Sequence, residues 1–275
     1  MITRSAIINV MANAAMKAGR SLLRDFGEVE QLQVSTKGPA DFVTTADLKA
    51  EEVLVGELGR ARPDFGFLVE ESGEIPGADP AHRWLVDPLD GTTNFLHGIP
   101  HFCISIALER IEVSAGKTRR EITAGLVFDP MRNELFWGEK GVGAFVNDRR
   151  LRVSARSRLS EAVIATSIPV QNRTPHDVFL AQLSAVMAVA SGVLRQGAAA
   201  LDLAYVAAGR YDGFWEMGLN AWDIGAGILL VREAGGYVTE IEGGNGMLES
   251  GSVLAASDRL HPEIGKVLRA ATAGR

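Results

Sequence analysis

The 275-residue chain has little of what marks several protein classes. A single cysteine, Cys103, excludes an intramolecular disulfide, and no thiolate-built structural zinc site can form within one chain. That scarcity fits a reducing, cytoplasmic setting. Its longest apolar stretches, such as Ala185 to Leu194, fall short of the roughly 18 residues a bilayer span needs, so no membrane segment is expected. Basic residues are outnumbered, 28 Lys and Arg against 34 Asp and Glu, for a net charge of -6. No basic block could track a phosphate backbone, and direct nucleic-acid binding is not expected. Glycine is plentiful at 30 residues but has no period, which sets aside collagen-like and repeat architectures. With 47% apolar and 23% charged residues, the chain can bury a large core and disorder is not expected.

What is present reads as two halves. Arg4 and the apolar-leaning run after it imitate a signal peptide, but Asn9, Asn13 and Lys17 interrupt the run. Ile7, Val10, Met11, Ala14, Ala18 and Leu22 recur at three- and four-residue steps, which predicts an amphipathic helix. A polar stretch from Gln31 to Asp41 follows, then a second helical pattern from Asp47 through Leu58. Phe65 to Val69 and Trp84 to Val86 are short β-prone runs that end in acidic residues, and Phe102 to Leu108 has the continuous apolar character of a strand buried on both faces. Further β-prone runs reach Val146, with a turn at Lys140-Gly141. From Arg158 strands and helices alternate: Ala162 to Ser167, helices over Asp177 to Ala190, Ala198 to Ala208 and Ala221 to Ala234, and a last strand near Val253 to Ala256. No Pro- or Ser-rich linker intervenes. The expectation is an N-terminal α+β lobe over residues 1–150 and a C-terminal α/β lobe over 151–275, sharing one interface.

The chemistry concentrates in Asp87-Pro88-Leu89-Asp90-Gly91-Thr92-Thr93-Asn94. Two carboxylates three residues apart sit at a strand end, and the proline stiffens the turn between them, so both side chains and the Leu89 carbonyl can converge on one point. Hard divalent cations need several such oxygens. Gly91-Thr92-Thr93 then offers small residues and amide donors suited to a phosphate. Asp-Pro-x-Asp-Gly alone reads as a solvated turn, but the full pattern with Ser or Thr next has a chance occurrence of roughly 10⁻⁴ in a chain this long. Glu70-Glu71 ends the preceding β-prone run and alone reads as a solvated charge pair; Asp223, at the start of an apolar helix, alone reads as an N-cap. Jointly, Glu70, Asp87, Asp90 and Asp223 plus a carbonyl form a donor set for two or three Mg²⁺ ions.

Val69-Glu70-Glu71-Ser72, Asp87 to Phe95 and Trp222-Asp223-Ile224-Gly225-Ala226-Gly227, in this order, resemble the inositol monophosphatase family, within the lithium-sensitive, magnesium-dependent phosphatases. The likeness extends to Lys37 through Asp47 and to Gly197 through Gly218, and it includes bacterial suppressor-type members. It implies a layered α-β-α-β-α sandwich of the sugar-phosphatase type, two lobes in one compact unit. It also implies a first metal on Glu70, Asp87 and the Leu89 carbonyl, a second on Asp87, Asp90 and Asp223, and a weaker third on Glu70. By the same resemblance Thr92, hydrogen-bonded to Asp47, orients and helps deprotonate the attacking water, which Glu70 supports. The Gly91 and Thr92 amides grip phosphate, and Asp90, Ala199, Glu216 and Asp223 face the polyol. Inhibition by Li⁺ and a homodimer follow from the family alone. One departure is Ala198, where family members often carry a hydroxyl residue.

The expected reaction is Mg²⁺-dependent hydrolysis of myo-inositol 1-phosphate and similar small polyol phosphates, without a phosphoenzyme. A fructose-1,6-bisphosphatase-like sugar bisphosphatase and a regulatory role with a macromolecular partner are the alternatives. His97 and His101 are read as packing hydrogen bonds, Gly141-Val142-Gly143 as a hairpin turn, and Cys103 as core.

Overall fold

The structure is a computed structural model and describes residues 3–28, 34–38, 41–114, 116–169 and 176–273. Helix α1 (Ala6–Phe26) opens on Ser5, whose hydroxyl accepts the Ile8 N–H at 3.3 Å. Of the predicted stripe, Met11, Ala14, Ala18 and Leu22 are buried, joined by Ile8, Ala12 and Ala15, while Ile7 and Val10 are partly covered and pack against the same core. The helix lies close to the sheet: a Cβ on Gly19 would stand 2.6 Å from Phe128, and only small residues allow that approach. A β-ribbon of β1 (Val34–Gly38) and β2 (Asp41–Thr44) leads to α2 (Thr45–Ala61). Part of the expected polar stretch and of the Lys37–Asp47 likeness, residues 31–33 and 39–40, lies outside the described residues.

Eight strands form the first sheet: β3 (Phe65–Val69), β4 (Gly73–Ile75), β5 (Asp79–Asp90), β6 (Cys103–Ser114), β7 (Lys117–Asp129), β8 (Glu134–Glu139), β9 (Gly143–Val146) and β10 (Arg149–Arg150), in the order β10-β9-β8-β7-β6-β5-β3-β4. Between β5 and β6 comes the short helix α3 (Thr92–Leu96). The run predicted at Trp84 to Val86 is the middle of a 12-residue strand that continues past the acidic residues, because β5 keeps pairing with β6 after a register break between Asp87 and Asp90. The apolar run of β6 is buried from Cys103 to Leu108, as strands covered on both faces require.

The second sheet contains β11 (Val163–Thr166), β12 (Gly192–Leu194), β13 (Gly213–Glu216), β14 (Tyr237–Thr239) and β15 (Val253–Ala256), ordered β12-β11-β13-β15-β14. Its helices are α4 (His176–Met187), α5 (Ala199–Ala207), α6 (Ala221–Glu233), the short α7 (Met247–Ser250) and α8 (Leu260–Thr272). Helices α1 and α2 cover the outer face of the first sheet, α5 and α6 lie between the sheets, and α4 and α8 cover the far face of the second. That is the α-β-α-β-α layering, in one compact unit. No helix among the described residues is long and apolar enough to cross a membrane.

Candidate active site

The site forms where β3, β5, α2, α3, α5 and α6 end against one another. β3 and β5 are parallel, with Val69 opposite Val86, and the Glu70 N–H donates to the Val86 carbonyl at 3.2 Å. Glu70 therefore leaves its strand alongside Asp87. The register break in β5 acts as a bulge and re-aims side chains at the strand end. It is fixed by the Leu89 N–H, which donates to Asp87 Oδ1 at 2.9 Å. Gly91 follows at φ 95° and starts α3; a Cβ there would stand 3.0 Å from the His101 carbonyl and 3.3 Å from Ala198, so both the backbone angle and the space demand glycine.

Asp47 sits in the first turn of α2 as partner of a capping box. Its Oδ2 accepts the Thr44 N–H at 3.0 Å and also the Thr44 hydroxyl. Its Oδ1 faces the site and accepts the Thr92 hydroxyl at 3.2 Å, a proton shared with the Leu89 carbonyl at 3.1 Å. Burial is the main force raising the Asp47 carboxyl to about 6, Thr44 opposes it, and Glu70 adds to it.

Asp223 arrives from the far side. Asn220 rather than Asp223 precedes the first turn of α6; Asp223 is the third residue and accepts the Asn220 N–H at 2.7 Å, so the N-cap expectation is corrected to the reciprocal position. The Ser105 hydroxyl donates to the Trp222 carbonyl at 3.0 Å, tying this turn to β6. Gly125 lies against Ala226, where a Cβ would be 3.0 Å from the helix backbone, so α6 rests directly on the first sheet.

The carboxylates so assembled repel one another. Burial first, then Glu70, Asp90 and Asp223, push Asp87 well above the usual carboxylate range. Burial raises Asp90 to about 6, with Asp202 and Glu70 adding to it and the Ala200 amide and Cys103 opposing. Glu216, at the end of β13, is pushed well up by burial and then by Asp202, Asp223 and Asp90, and its Oε2 is buried without a hydrogen-bond partner. Asp47, Asp87 and Leu89 form a buried floor, while Glu70, Asp90, Gly91, Thr92, Glu216 and Asp223 remain partly exposed. Oxygen donors around a buried carboxylate, none of them a built-in cation, fit a hard divalent ion. Among the described residues no three His, Cys, Asp or Glu side chains are already drawn together at ligating spacing. The groups stand side by side.

The Ala199 N–H, expected to face the polyol, donates to Asp90 Oδ1 at 3.2 Å, and the Ala200 N–H donates to Oδ2 at 2.8 Å. Cys103 is core as expected, yet its thiol also donates to Asp90 Oδ2 at 3.5 Å. His101 departs from expectation: its Nε2 is buried without a hydrogen-bond partner, 3.8 Å from an Asp202 carboxylate that also lacks one. Glu51, one turn beyond Asp47, was missed. It accepts the Glu71 N–H at 3.0 Å and the Ser72 hydroxyl, which fixes the segment after Glu70. The signal was two carboxylates four residues apart on the face of α2 that buries Ala46, Ala50, Leu54 and Leu58. Asn94 was also given no role; its amide donates to the His101 carbonyl at 2.8 Å and the Gln196 carbonyl at 2.7 Å, joining α3 to the approach of α5.

Comparison with known proteins identifies the family. The profile of the inositol monophosphatase family matches residues 3–273. The chain is 56% identical over 268 residues to the inositol-1-monophosphatase of Mesorhizobium japonicum, covering 98% of each, and 42% identical to the Nus factor SuhB of Pasteurella multocida, covering 94% of each. The crystal structure of the extragenic suppressor protein suhB from Bartonella henselae superposes with a TM-score of 0.91 at 56% identity, over 98% of this chain and 100% of that one. The chain belongs to the inositol monophosphatase family and is a phosphoric monoester hydrolase.

Proposed function

We propose that the protein hydrolyses myo-inositol 1-phosphate and related small polyol phosphates in a Mg²⁺-dependent reaction. The observation that carries this reading is the placement of Asp87 among Glu70, Asp90 and Asp223, directly beside the Thr92–Asp47 hydrogen bond. Glu70, Asp87, the Leu89 carbonyl, Asp90 and Asp223 would hold two ions, with a weaker third at Glu70. When bound, Mg²⁺ neutralises phosphoryl oxygens, lowers the pKa of water and stabilises the leaving alkoxide. Asp47, ionised at neutral pH, draws the Thr92 proton toward Oδ1, leaving the Thr92 oxygen to accept from the attacking water. Glu70 would support that water. Gly91 and Thr92 present backbone N–H groups to the phosphate. Asp90, Glu216 and Asp223 would face the polyol hydroxyls, and the buried Oε2 of Glu216, without a hydrogen-bond partner, is open to one of them.

Phosphate release from myo-inositol 1-phosphate, with and without Mg²⁺, tests the reading beside fructose 1,6-bisphosphate and a nucleotide bisphosphate. Robust Mg²⁺-dependent turnover of the first is expected, with inhibition at tens of millimolar Li⁺. Faster turnover of fructose 1,6-bisphosphate favours the sugar-bisphosphatase alternative. The relatives named Nus factor SuhB support a second reading, a macromolecular partner for a cytoplasmic homodimer. Stoichiometric recovery of such a partner with an Asp223→Asn chain would favour it.

A further inference from the structure

The turn that carries Gly91 and Thr92 rests on the segment returning from α3 to β6, and His101 is the centre of that seat. Its carbonyl accepts the Asn94 amide at 2.8 Å and lies 3.0 Å from where a Gly91 Cβ would stand. Its ring is buried against α5, with Nε2 3.8 Å from an Asp202 oxygen and the ring edge-on to Tyr205 at 6.1 Å. That is an ion-pair distance, too long for a hydrogen bond. Asp202 is the fourth residue of α5, wholly buried, and neither of its carboxylate oxygens has a hydrogen-bond partner. Burial pushes its carboxyl up; His101 opposes this first, and the exposed Arg195 second. A buried carboxylate in this state is costly unless a cation stays beside it, so charge keeps the imidazole and Asp202 together. What the imidazole then holds in place, through its own backbone, is the seat of the turn. A second tie to the approach of α5, from the Asn94 amide to the Gln196 carbonyl, leaves the same turn at 2.7 Å.

We propose that His101 is a positioning residue for phosphate: its contact with Asp202 fixes the Gly91–Thr92 turn against α5, although both side chains are buried. The role toward phosphate rests on the function proposed above; the tie between the turn and α5 does not. The Thr92 hydroxyl is held separately, by Asp47 Oδ1 and the Leu89 carbonyl. Loss of the pair therefore loosens the backbone N–H groups that meet phosphate more than it disturbs the activation of water.

Hydrogen exchange on the natural chain, Asp202→Asn, His101→Phe and the double variant tests the tie without any turnover. The amides of Phe95 and Ile99, bonded to the Gly91 and Asn94 carbonyls, should exchange about ten-fold faster in each single variant, with β14 and β15 unchanged. The double variant should be no faster than the faster single one. Unchanged exchange at the turn, or equal acceleration in β14 and β15, overturns the tie. Steady-state kinetics then tests the role: KM for myo-inositol 1-phosphate and the inhibition constant of inorganic phosphate should both rise about five-fold, with kcat altered less than about two-fold. A fall in kcat at unchanged phosphate inhibition, or unchanged constants in a chain of lowered thermal midpoint, overturns it. Asp202→Asn, which keeps the shape of the carboxylate, decides alone if His101→Phe does not fold. If the natural chain turns over no inositol phosphate, the function proposed above fails and the positioning role with it, while exchange still settles the tie.

Discussion

Glu109 and Asp87 lie on the same pair of strands, β6 and β5, and both are almost wholly withdrawn from water, at 0% and 2% exposure. Their neighbours differ in sign. Glu109 pairs across the ladder with Arg83 and also meets Arg120 at 3.2 Å, so its charge is balanced by two guanidinium groups of the chain itself. Asp87 is surrounded by Glu70, Asp90 and Asp223. Asp129 and Asp212, likewise buried, follow the first pattern with Arg132 and Arg156. A buried charge without a partner is costly, so on the function proposed above a bound cation would supply at the acidic end of the ladder the balance that guanidinium groups supply at Glu109.

The contrast can be broken at either end. The largest effect is expected from Asp223→Asn, with turnover falling about 10³-fold while circular dichroism stays unchanged. At the balanced end, Arg83→Met should destabilise the chain by about 3 kcal/mol in denaturant titration, the lower range for a buried pair because Arg120 remains, with kcat of the folded protein preserved. Loss of kcat without loss of stability would show that the two ends are not independent. Thr92→Val removes the hydroxyl that links Asp47 to the site and should lower kcat about 10²-fold while leaving the Mg²⁺ midpoint of thermal shift in place. The smallest effect is in pH. Asp47 and Asp90 are both raised from 3.8 to about 6, so their neutral forms favour the folded state. That stability is complete below about pH 4 and is lost as pH rises through about 6. The midpoint of the chelated protein should therefore fall by a few degrees across this window, and Mg²⁺ should flatten the slope.

Legibility in the sequence followed the same division. The acidic turn Asp87 to Asn94 could be read because its chemistry is contiguous, and the layered architecture followed from the resemblance it carried. Asp223 could not be joined to it by any spacing rule, since 132 residues lie between it and Asp90. Glu51 and Asp202 were hidden in another way: each is a carboxylate on a buried helix face, where pattern reading assigns charge to solvent. The stripe of α1 was legible at Met11, Ala14, Ala18 and Leu22; Ile8, Ala12 and Ala15 were not read, because the close approach at Gly19 widens the face that the sheet covers.

The contact between Gly125 and α6 sets a gauge. Asp223 reaches the acidic site on a helix seated through Gly125 backbone to backbone on β7 and through Gly225 against the Leu85 side chain of β5, so both contacts set its position. A single methyl group at position 125 would stand 3.0 Å from the Ala226 backbone and press on the helix that carries Asp223, although it lies outside the acidic cluster itself.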